Sequence, residues 1–445
     1  MQRIDMIERL PTPYGLVRFG VAPDHPEVKN VTNDFDKVAS HPNFHFFGNL
    51  CLGKDVSILG LRRAYDATIL SYGASGEKML GIPGEDLKGV LSSNDFVLWY
   101  NGHPDKSNIA KDLNFEEKEP PVAAVIGNGN VALDIARILT KNPKSLAKTD
   151  IHEEALTFIK KRDIQAVHII GRRGWVQAAF TNKELRELLH EDSLLPVMDP
   201  MEYASCMNTT SHIEMEESRA LRRSHSLYQK MMENWPHRQW TTRKVLYFRF
   251  LKTPLAFLPH TNEPTLVGGV KLGRNSLAGD AHKQTVVMED NKCVEVIPIS
   301  LAIKSIGFKP VFLEGLPVQG NYIMHKYGCV FKPQWDSPPF LGGLYVSGWL
   351  KRGPTGIIAT NIADAQETVQ HVIQDLLTLP KGEMPYREYD SFLRFPTDCR
   401  ASSIHVITYN DWLRIKQEEL NQGYQKGKVA NKFVSLDEIL KFLRK

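Results

Sequence analysis

The sequence has few cysteines, no long apolar run and little net charge. Its five cysteines, Cys51, Cys206, Cys293, Cys329 and Cys399, are scattered through 445 residues without a CxxC pair. This pattern excludes a disulfide reductase with a redox cysteine pair and favours a reducing compartment. No apolar stretch is long enough to cross a bilayer. A formal charge of +4 argues against a general nucleic-acid-binding surface. We expect no transmembrane segment, no metal site and no nucleic-acid partner.

The first residues lack a recognisable targeting signal. The segment MQRIDMIERLPTP has neither the apolar core of a secretory signal nor the arginine-rich helix of a transit peptide. A strand-like run, Ile4–Ile7, begins almost at the initiator methionine, and turn residues follow it. We therefore expect that the first element of a domain is missing.

Short strands alternate with helices along most of the chain. We predict strands at Ile4–Ile7, Phe44–Phe47, Thr68–Tyr72, Val122–Ile126, Ala166–Ile170, Thr285–Glu289, Ile299–Ile306 and Gly343–Val346, and helices at Glu27–Ala39, Leu61–Asp66, Val131–Thr140, Ile357–Leu377 and Asp437–Lys445. Residues 197–265 carry charges and aromatics without clear periodicity, and we predict only mixed, partly helical structure there. The alternation predicts the α/β class with parallel sheets.

A glycine-rich turn follows the predicted strand Val122–Ile126. The residues Gly127, Gly129 and Ala132 form a GxGxxA pattern that leads into a helix. In this context the first glycine permits a tight turn, the second lets a pyrophosphate approach the backbone, and the helix N-terminus attracts the phosphates. The pattern favours a dinucleotide site over an ordinary strand-turn-helix.

Two arginines follow the next predicted strand. Arg172 and Arg173 stand where an NAD site would have a carboxylate for the ribose hydroxyls. Because guanidinium groups bind phosphate bidentately, the pair indicates NADP rather than NAD. The interval from the glycine turn is longer than a minimal unit requires, so we predict an inserted helical excursion between Lys141 and Arg162.

A second glycine-rich segment, Gly343–Thr360, also follows a predicted strand. It contains Trp349 and Gly356 and leads into a predicted helix. Such a turn suits an electron-rich ring such as a flavin isoalloxazine. A Gly/Pro-rich loop closed by a buried tryptophan would show the same composition, and both readings stay open.

Five motifs together resemble the adrenodoxin reductase family, the mitochondrial ferredoxin-NADP reductases. They are LVRFGVAPDHPEVKN from Leu16, GNGNVALD from Gly127, GRRG from Gly171, FTNKELRE from Phe180 and SGWLKRGPTGIIAT from Ser347. They occur in order and span most of the chain. A small subunit of glutamate synthase type has a similar fold, but it brings a cysteine-rich cluster domain.

The resemblance implies two Rossmann-like dinucleotide-binding domains and an electron-transfer reaction. The FAD domain would be discontinuous, formed by residues 1–76 and 311–445, and the NADP domain would be residues 77–310. NADPH would reduce FAD, which would pass electrons singly to a 2Fe-2S ferredoxin for steroid hydroxylation, haem or iron–sulfur synthesis. The resemblance also implies a mitochondrial location and a monomer, with peripheral association with the inner membrane as a further expectation.

The resemblance assigns cofactor contacts residue by residue. The NADP contacts would be Asn128, Gly129, Asn130, Val131, Arg172, Arg173, Glu184 and Gly356. The FAD contacts would be Glu8, Leu16, Leu52, Trp349, Gly356, Ile357 and Ile358. Gly356 would lie between nicotinamide and flavin, and it therefore appears in both sets.

Catalytic and partner-binding positions follow in the same way. His25 and Asp134 correspond to a polar pair near the family's flavin and could form a proton route, since histidine titrates near neutral pH. Both residues could equally be structural hydrogen-bonding groups. Arg186 matches a ferredoxin-docking arginine, and Arg219, Arg222 and Arg223 would add to a basic surface for an acidic ferredoxin. The last three could also be plain solvated charges.

The sequence departs from the family at its start. Family members begin with a strand and a GxGxxG-type loop for the FAD pyrophosphate, whereas this sequence starts just before the family's second strand. We therefore expect an FAD domain that lacks its first strand, with Glu8 as the carboxylate for the adenosine ribose. The alternative function is a truncated, non-catalytic chain that binds NADPH or ferredoxin but cannot hold FAD.

Overall fold

The computed structural model describes residues 3–113, 121–289, 294–331, 343–356, 360–378 and 404–445. The α-helices are α1 (Gly15–Gly20), α2 (Pro26–Lys29), α3 (Thr32–Ala39), α4 (Ile58–Ala64), α5 (Ser93–Tyr100), α6 (Asn130–Thr140), α7 (Pro143–Leu146), α8 (Glu153–Arg162), α9 (Asn182–His190), α10 (Pro200–Ser205), α11 (Thr209–Glu217), α12 (Arg219–Asn234), α13 (Trp349–Arg352), α14 (Thr360–Thr378), α15 (Tyr409–Gln425) and α16 (Leu436–Leu443). Short 3-10 helices are Pro104–Asp112, Trp175–Gln177 and Trp235–Gln239.

The strands are β1 (Ile4–Ile7), β2 (Phe44–Phe47), β3 (Thr68–Leu70), β4 (Gly76–Glu77), β5 (Val90–Ser92), β6 (Val122–Ile126), β7 (Ala166–Ile170), β8 (Leu194–Met198), β9 (Lys244–Arg249), β10 (Lys252–Pro259), β11 (Val267–Ala278), β12 (Thr285–Met288), β13 (Val294–Pro298), β14 (Leu301–Lys304), β15 (Phe308–Lys309), β16 (Val318–Gln319), β17 (Tyr322–Ile323), β18 (His325–Lys326), β19 (Cys329–Val330) and β20 (Leu344–Val346). The α/β class predicted from the alternation is confirmed.

The largest sheet has six strands in the order β5-β14-β6-β7-β9-β8, and all neighbouring strands are parallel. Its central strand β6 has the apolar sequence VAAVI because both of its faces are covered. Helices α5, α6, α8, α9 and α12 contribute to the core on one face. Strands β10, β11 and β13, which pair antiparallel, contribute to the core on the other. The carboxyl ends of β6 and β7 therefore open at one edge of a three-layer unit.

Two smaller sheets come from the first and last parts of the chain. Strand β1 pairs in parallel with β2, and strand β3 pairs in parallel with β20. Among the described residues, β1 and β3 each have a hydrogen-bonded neighbour on one edge alone. Ile4, Met6 and Ile69 on these strands are exposed. The first and last parts of the chain therefore share a sheet, and its strands lie outside the six-stranded unit.

The connections between these parts run side by side. Strand β4 pairs antiparallel with β15, so the chain enters and leaves the six-stranded unit through one short ribbon. Helix α15 then packs near β2, and Gly48 forms an isolated bridge with Ile407. Arg18 and Glu419 form a largely buried ion pair between the beginning and the end of the chain. None of the helices in the described part combines the length and apolar character that a bilayer crossing requires.

Candidate functional site

The glycine turn after β6 requires glycine at one position and leaves open space at the next. Gly127 has a φ of 137°, and a Cβ there would lie 2.0 Å from the backbone oxygen of Ser305. A Cβ at Gly129 would meet nothing within 4 Å. Gly129 precedes α6, and no side chain caps this helix N-terminus. The free amide groups of the first helical turn can therefore bind an anion above Gly129.

The two turns at the ends of β6 and β7 are packed together. The side chain of Asn128 lies over Gly171, where a Cβ would be 1.7 Å from Asn128 Nδ2. The buried Oδ1 of Asn128 has no hydrogen-bond partner among the described residues. Arg172 and Arg173 follow directly and are exposed. Neither guanidinium is paired with a carboxylate in the described part of the chain, so both can bind a phosphate.

Helix α9 is attached to the glycine turn by its first residues. The Thr181 amide donates to Asn130 Oδ1 at 2.9 Å, and the Ala179 amide donates to Asn128 O at 2.9 Å. The hydroxyl of Thr181 accepts from the Glu184 amide and caps α9. These bonds hold the Glu184 side chain, which is largely buried, on the helix that flanks the turn.

His25 contacts a different carboxylate from the one that the resemblance suggested. Its Nε2 lies 2.7 Å from Glu187 Oε1 on α9. Asp134 lies on α6 in the same cluster, but its hydrogen bond is to Arg137 Nη2 at 2.8 Å. Burial raises the pKa of Asp134, Arg137 lowers it and Glu184 raises it again, with a net upward shift. His25 and Asp134 therefore belong to one charged cluster without a direct bond between them.

Asp24, next to His25, is also part of this cluster. Its carboxylate accepts from Arg137 Nε at 2.8 Å, and Lys141 Nζ lies 3.1 Å away. Burial raises the pKa of Asp24, but these two cations lower it by more than burial raises it, and the resulting pKa is about 2. The sequence analysis missed Asp24, Arg137, Lys141 and Glu187. Asp24 and Glu187 do lie within the quoted motifs, whereas no local pattern distinguishes the two cations.

The residues expected to contact the flavin lie after β1, β2 and β20 and on α1. Glu8 follows β1, and its Oε1 accepts from the Leu10 amide at 2.9 Å, while burial raises its pKa. Leu16 on α1 is exposed, and Leu52 is half-buried and packs against two core clusters. Glu8 therefore stands at the carboxyl end of a parallel strand, where nucleotide riboses bind in such folds, with one carboxylate oxygen held by the Leu10 amide.

The segment after β20 is shaped by glycines. Gly348 and Gly356 have φ values of 70° and 87°. Trp349 is half-buried, and its ring lies 5.1 Å from that of Phe308 between centroids. Asp364 on α14 accepts from the Gly348 amide and from the Ser347 hydroxyl, which fixes the start of this turn. Ile357 and Ile358 lie outside the described residues.

The arginines expected to bind the partner lie on two neighbouring helices. Arg186 is exposed on α9, and Arg219, Arg222 and Arg223 are exposed on α12. Helices α9 and α12 pack together, and Asn182 Nδ2 donates to Ala220 O at 2.9 Å between them. These exposed cations therefore come from two helices that are held in contact.

No family model matches the chain. It is 37% identical over 451 residues to NADPH:adrenodoxin oxidoreductase, mitochondrial, of Salvelinus fontinalis, covering 99% of this chain and 86% of the relative. It is 38% identical over 451 residues to NADPH-ferredoxin reductase FprA of Mycobacterium tuberculosis, covering 98% and 91%. The solved structure of Mycobacterium tuberculosis FprA in complex with NADPH superposes with a TM-score of 0.87 at 36% identity, covering 100% of this chain and 93% of that one. The chain therefore belongs to the NADPH:adrenodoxin (ferredoxin) oxidoreductase family.

Proposed function

We propose that this chain is an NADPH:ferredoxin (adrenodoxin) oxidoreductase with FAD as its second cofactor. The observation that carries the proposal is the pairing of an open glycine turn at Gly129 with the unpaired, exposed Arg172 and Arg173. Together they offer one site for a pyrophosphate and a second for a 2′-phosphate, which is the arrangement that selects NADP(H). Family membership supplies the acceptor class.

The NADP(H) site would be built from two strand ends and one helix. Gly129, Asn130 and Val131 would hold the pyrophosphate at the N-terminus of α6, with Asn128 supporting the turn. Arg172 and Arg173 would bind the 2′-phosphate, and Glu184 on α9 would contact the nicotinamide end. Gly356 would border the nicotinamide on the flavin side, since it has no side chain to intervene. The NADP domain is proposed to span residues 77–310.

FAD fits the described residues at its two ends. Glu8 offers a carboxylate for the ribose, and Leu16, Leu52, Trp349 and Gly356 would border the ring, with Ile357 and Ile358 proposed from the resemblance. The GxG spacing occurs once in the chain, at Gly127 and Gly129. A second pyrophosphate turn of that type is therefore absent from the sequence. Bound FAD would accept two electrons from NADPH and release them one at a time.

The chain's own residues would bind and orient the cofactors and would hold a proton near them. Glu187 holds His25 through Nε2, and His25 could move a proton between this pair and the ring site. Asp134 has a pKa raised by burial, so it could share that proton as the nucleotide changes charge. The apolar β6 core behind the glycine turn excludes water from the rear of the site.

The partner would be an acidic 2Fe-2S ferredoxin. Arg186, Arg219, Arg222 and Arg223 would steer it to the surface of α9 and α12 through long-range attraction. Several relatives carry the word mitochondrial in their names. We propose a mitochondrial location, a monomer and peripheral association with the inner membrane for this chain as well.

The test is an anaerobic absorption spectrum of the purified chain with added FAD, before and after NADPH. A bound flavin that bleaches with NADPH and then reduces an added 2Fe-2S ferredoxin is the expected result. A chain that binds no FAD would contradict the reductase proposal. If it still binds NADP+, the second candidate holds, in which the chain binds NADPH or ferredoxin without catalysis.

A further inference from the structure

Arg137 is a buried cation that the sequence analysis did not identify. It lies on α6, one turn after Asp134, and its side chain is 0% exposed. Its Nε and Nη2 donate to the two oxygens of Asp24 at 2.8 and 3.2 Å, and Nη2 also donates to Asp134 at 2.8 Å. A planar guanidinium that binds one carboxylate bidentately has a defined orientation.

Two further carboxylates on α9 face the same guanidinium. Glu187 Oε1 lies 3.6 Å from Nε, and Glu184 Oε2 lies 3.8 Å from Nη1. Neither the Nη1 of Arg137 nor the Oε2 of Glu184 has a hydrogen-bond partner among the described residues. Arg137 therefore faces carboxylates from three segments: the loop before α2, its own helix α6, and α9. Its Nη1 group on the side of Glu184 remains available to donate a hydrogen bond.

The charge balance of the cluster depends on this one residue. The titratable groups that face His25 or its partners are Asp24 beside it, Asp134 and Arg137 on α6, Lys141 directly after α6, Glu184 and Glu187 on α9, Glu191 directly after α9, and Tyr100 on α5. A ring nitrogen of His25 and one carboxylate oxygen each from Glu184 and Glu187 all lie within 4.8 Å of one another. Without Arg137, Lys141 would be the one lysine or arginine of this group beside the carboxylates of Asp24, Asp134, Glu184 and Glu187, and like charges at these distances repel strongly in a buried site.

We propose that Arg137 is a positioning residue for NADP(H): it holds Glu184 and the His25–Glu187 pair in place beside the nucleotide turn and offsets their negative charge against an anionic ligand. It does so across the junction between residues 1–76 and the six-stranded unit, because Asp24 belongs to the first and Arg137 to the second. The inference rests on the proposed function, since it takes Glu184 and His25 to face the nicotinamide end.

The experiment measures NADP+ binding to the flavin-free chain by calorimetry between pH 6 and pH 8.5. In Arg137→Met, affinity is expected to fall about tenfold from pH 6 to pH 8, because the carboxylates ionise without their cation and each unit of pKa corresponds to a factor of ten. The wild type is the reference over the same range: the 2′-phosphate of NADP+ itself titrates at about pH 6, so the fall of about tenfold is expected in the ratio of variant to wild-type affinity. Arg137→Lys keeps the charge but loses the bidentate geometry, so it should bind about fivefold more weakly at every pH, without the pH dependence.

Lys29→Met is the matched control. Lys29 is a partly buried cation that also joins the first segment to the six-stranded unit, through Asp150 at 2.7 Å, but it does not face the cluster. It should destabilise the junction without making NADP+ binding pH-dependent. The same pH-dependent loss in Lys29→Met would overturn the inference, because loosening the junction would then explain it.

Two other outcomes also decide the question. Wild-type affinity and a flat pH profile in Arg137→Met would overturn the inference, and so would a pH dependence in Arg137→Lys equal to that of Arg137→Met. If Arg137→Met does not fold, the uniform loss in Arg137→Lys carries the test, and unchanged binding there contradicts the proposal. A wild-type chain that binds no NADP+ refutes the proposed function itself, and the positioning role falls with it; wild-type binding with indifferent variants refutes the positioning role alone.

Discussion

Gly127 and Gly129 are expected to respond in opposite ways to substitution by alanine, because one is required by the fold and the other faces the ligand. At Gly127 a Cβ would lie 2.0 Å from Ser305 O and 2.7 Å from Ser305 C, both in the backbone that follows β14. The φ of 137° is itself rarely adopted by alanine. Backbone strain of about 1–3 kcal/mol and overpacking of about 1–3 kcal/mol together predict a loss of about 2–6 kcal/mol of unfolding free energy.

At Gly129 the same methyl group would meet open space. The backbone there has φ −122° and ψ 166°, which alanine adopts without strain. Alanine is a poorer N-cap than glycine, but it restricts the unfolded chain, and these two effects of about 0.5–1 kcal/mol oppose one another. Gly129→Ala should therefore keep its stability within about 1 kcal/mol of the wild type. It should nevertheless lose NADP+ affinity by at least about tenfold, since the methyl group would occupy the proposed pyrophosphate position.

The assay combines urea unfolding followed by far-UV circular dichroism with calorimetric titration of NADP+. Gly127→Ala should show a lower midpoint of unfolding, and Gly129→Ala should show normal unfolding with weak binding. If Gly129→Ala binds NADP+ as tightly as the wild type, the pyrophosphate does not lie over this residue and the reasoning fails. Normal stability in Gly127→Ala would show instead that β6 and the Ser305 backbone separate easily.

Three further predictions concern charge. Replacing both Arg172 and Arg173 by Gln should weaken NADP+ binding about 10–100-fold while changing NAD+ binding little, because only NADP+ carries the 2′-phosphate. The two affinities are compared by calorimetry, and an equal loss for NADP+ and NAD+ would contradict the assignment. Burial raises the pKa of Asp24, but Arg137 and Lys141 lower it by more, so the net pKa of about 2 lies below the value in the unfolded chain. The stabilisation from Asp24 is therefore present above about pH 4 and is lost as the pH falls toward 2. In urea unfolding between pH 2 and pH 5, Asp24→Asn should remove about 2 kcal/mol of this pH dependence, and an unchanged loss of stability at acid pH would refute the effect. Replacing Arg222 and Arg223 by Glu reverses their charge and should raise the KM for an acidic ferredoxin several-fold at low salt, with NADPH oxidation by a small-molecule acceptor unchanged. A KM for ferredoxin that responds neither to this replacement nor to salt would mean that ferredoxin docks elsewhere.

The elements that sequence alone predicted best are apolar runs bounded by turn residues. Strands β1, β2, β6 and β7 have the bounds that the sequence analysis gave, because their signals are local. Strand β9 was missed within residues 197–265, although it lies inside the six-stranded sheet. Its sequence KVLYFR ends in Arg249, whose charge is balanced by Glu202 and Glu295. Those partners are distant in sequence, so periodicity cannot reveal them.

The candidate site shows the same division. The glycine turn and the arginine pair have local patterns with a chemical reason, and the structure brings both to neighbouring strand ends. Arg137 has no such pattern, since a cation on an amphipathic helix usually indicates a solvated position. Its partner Asp24 lies 113 residues away in sequence. Only the packing of the first segment against α6 shows that this cation is buried.

Buried ion pairs recur where residues 1–76 meet the rest of the chain. Arg137 binds Asp24, Lys29 binds Asp150, and Arg18 binds Glu419. Because removing charges from water costs about as much as their attraction returns, such pairs add little net stability, but loss of one partner leaves an uncompensated buried charge. Apolar contacts could hold the same surfaces in several orientations, whereas these pairs require one alignment. Since His25 and Glu187 meet at this junction, the alignment that satisfies the ion pairs is also the one that assembles the proposed site.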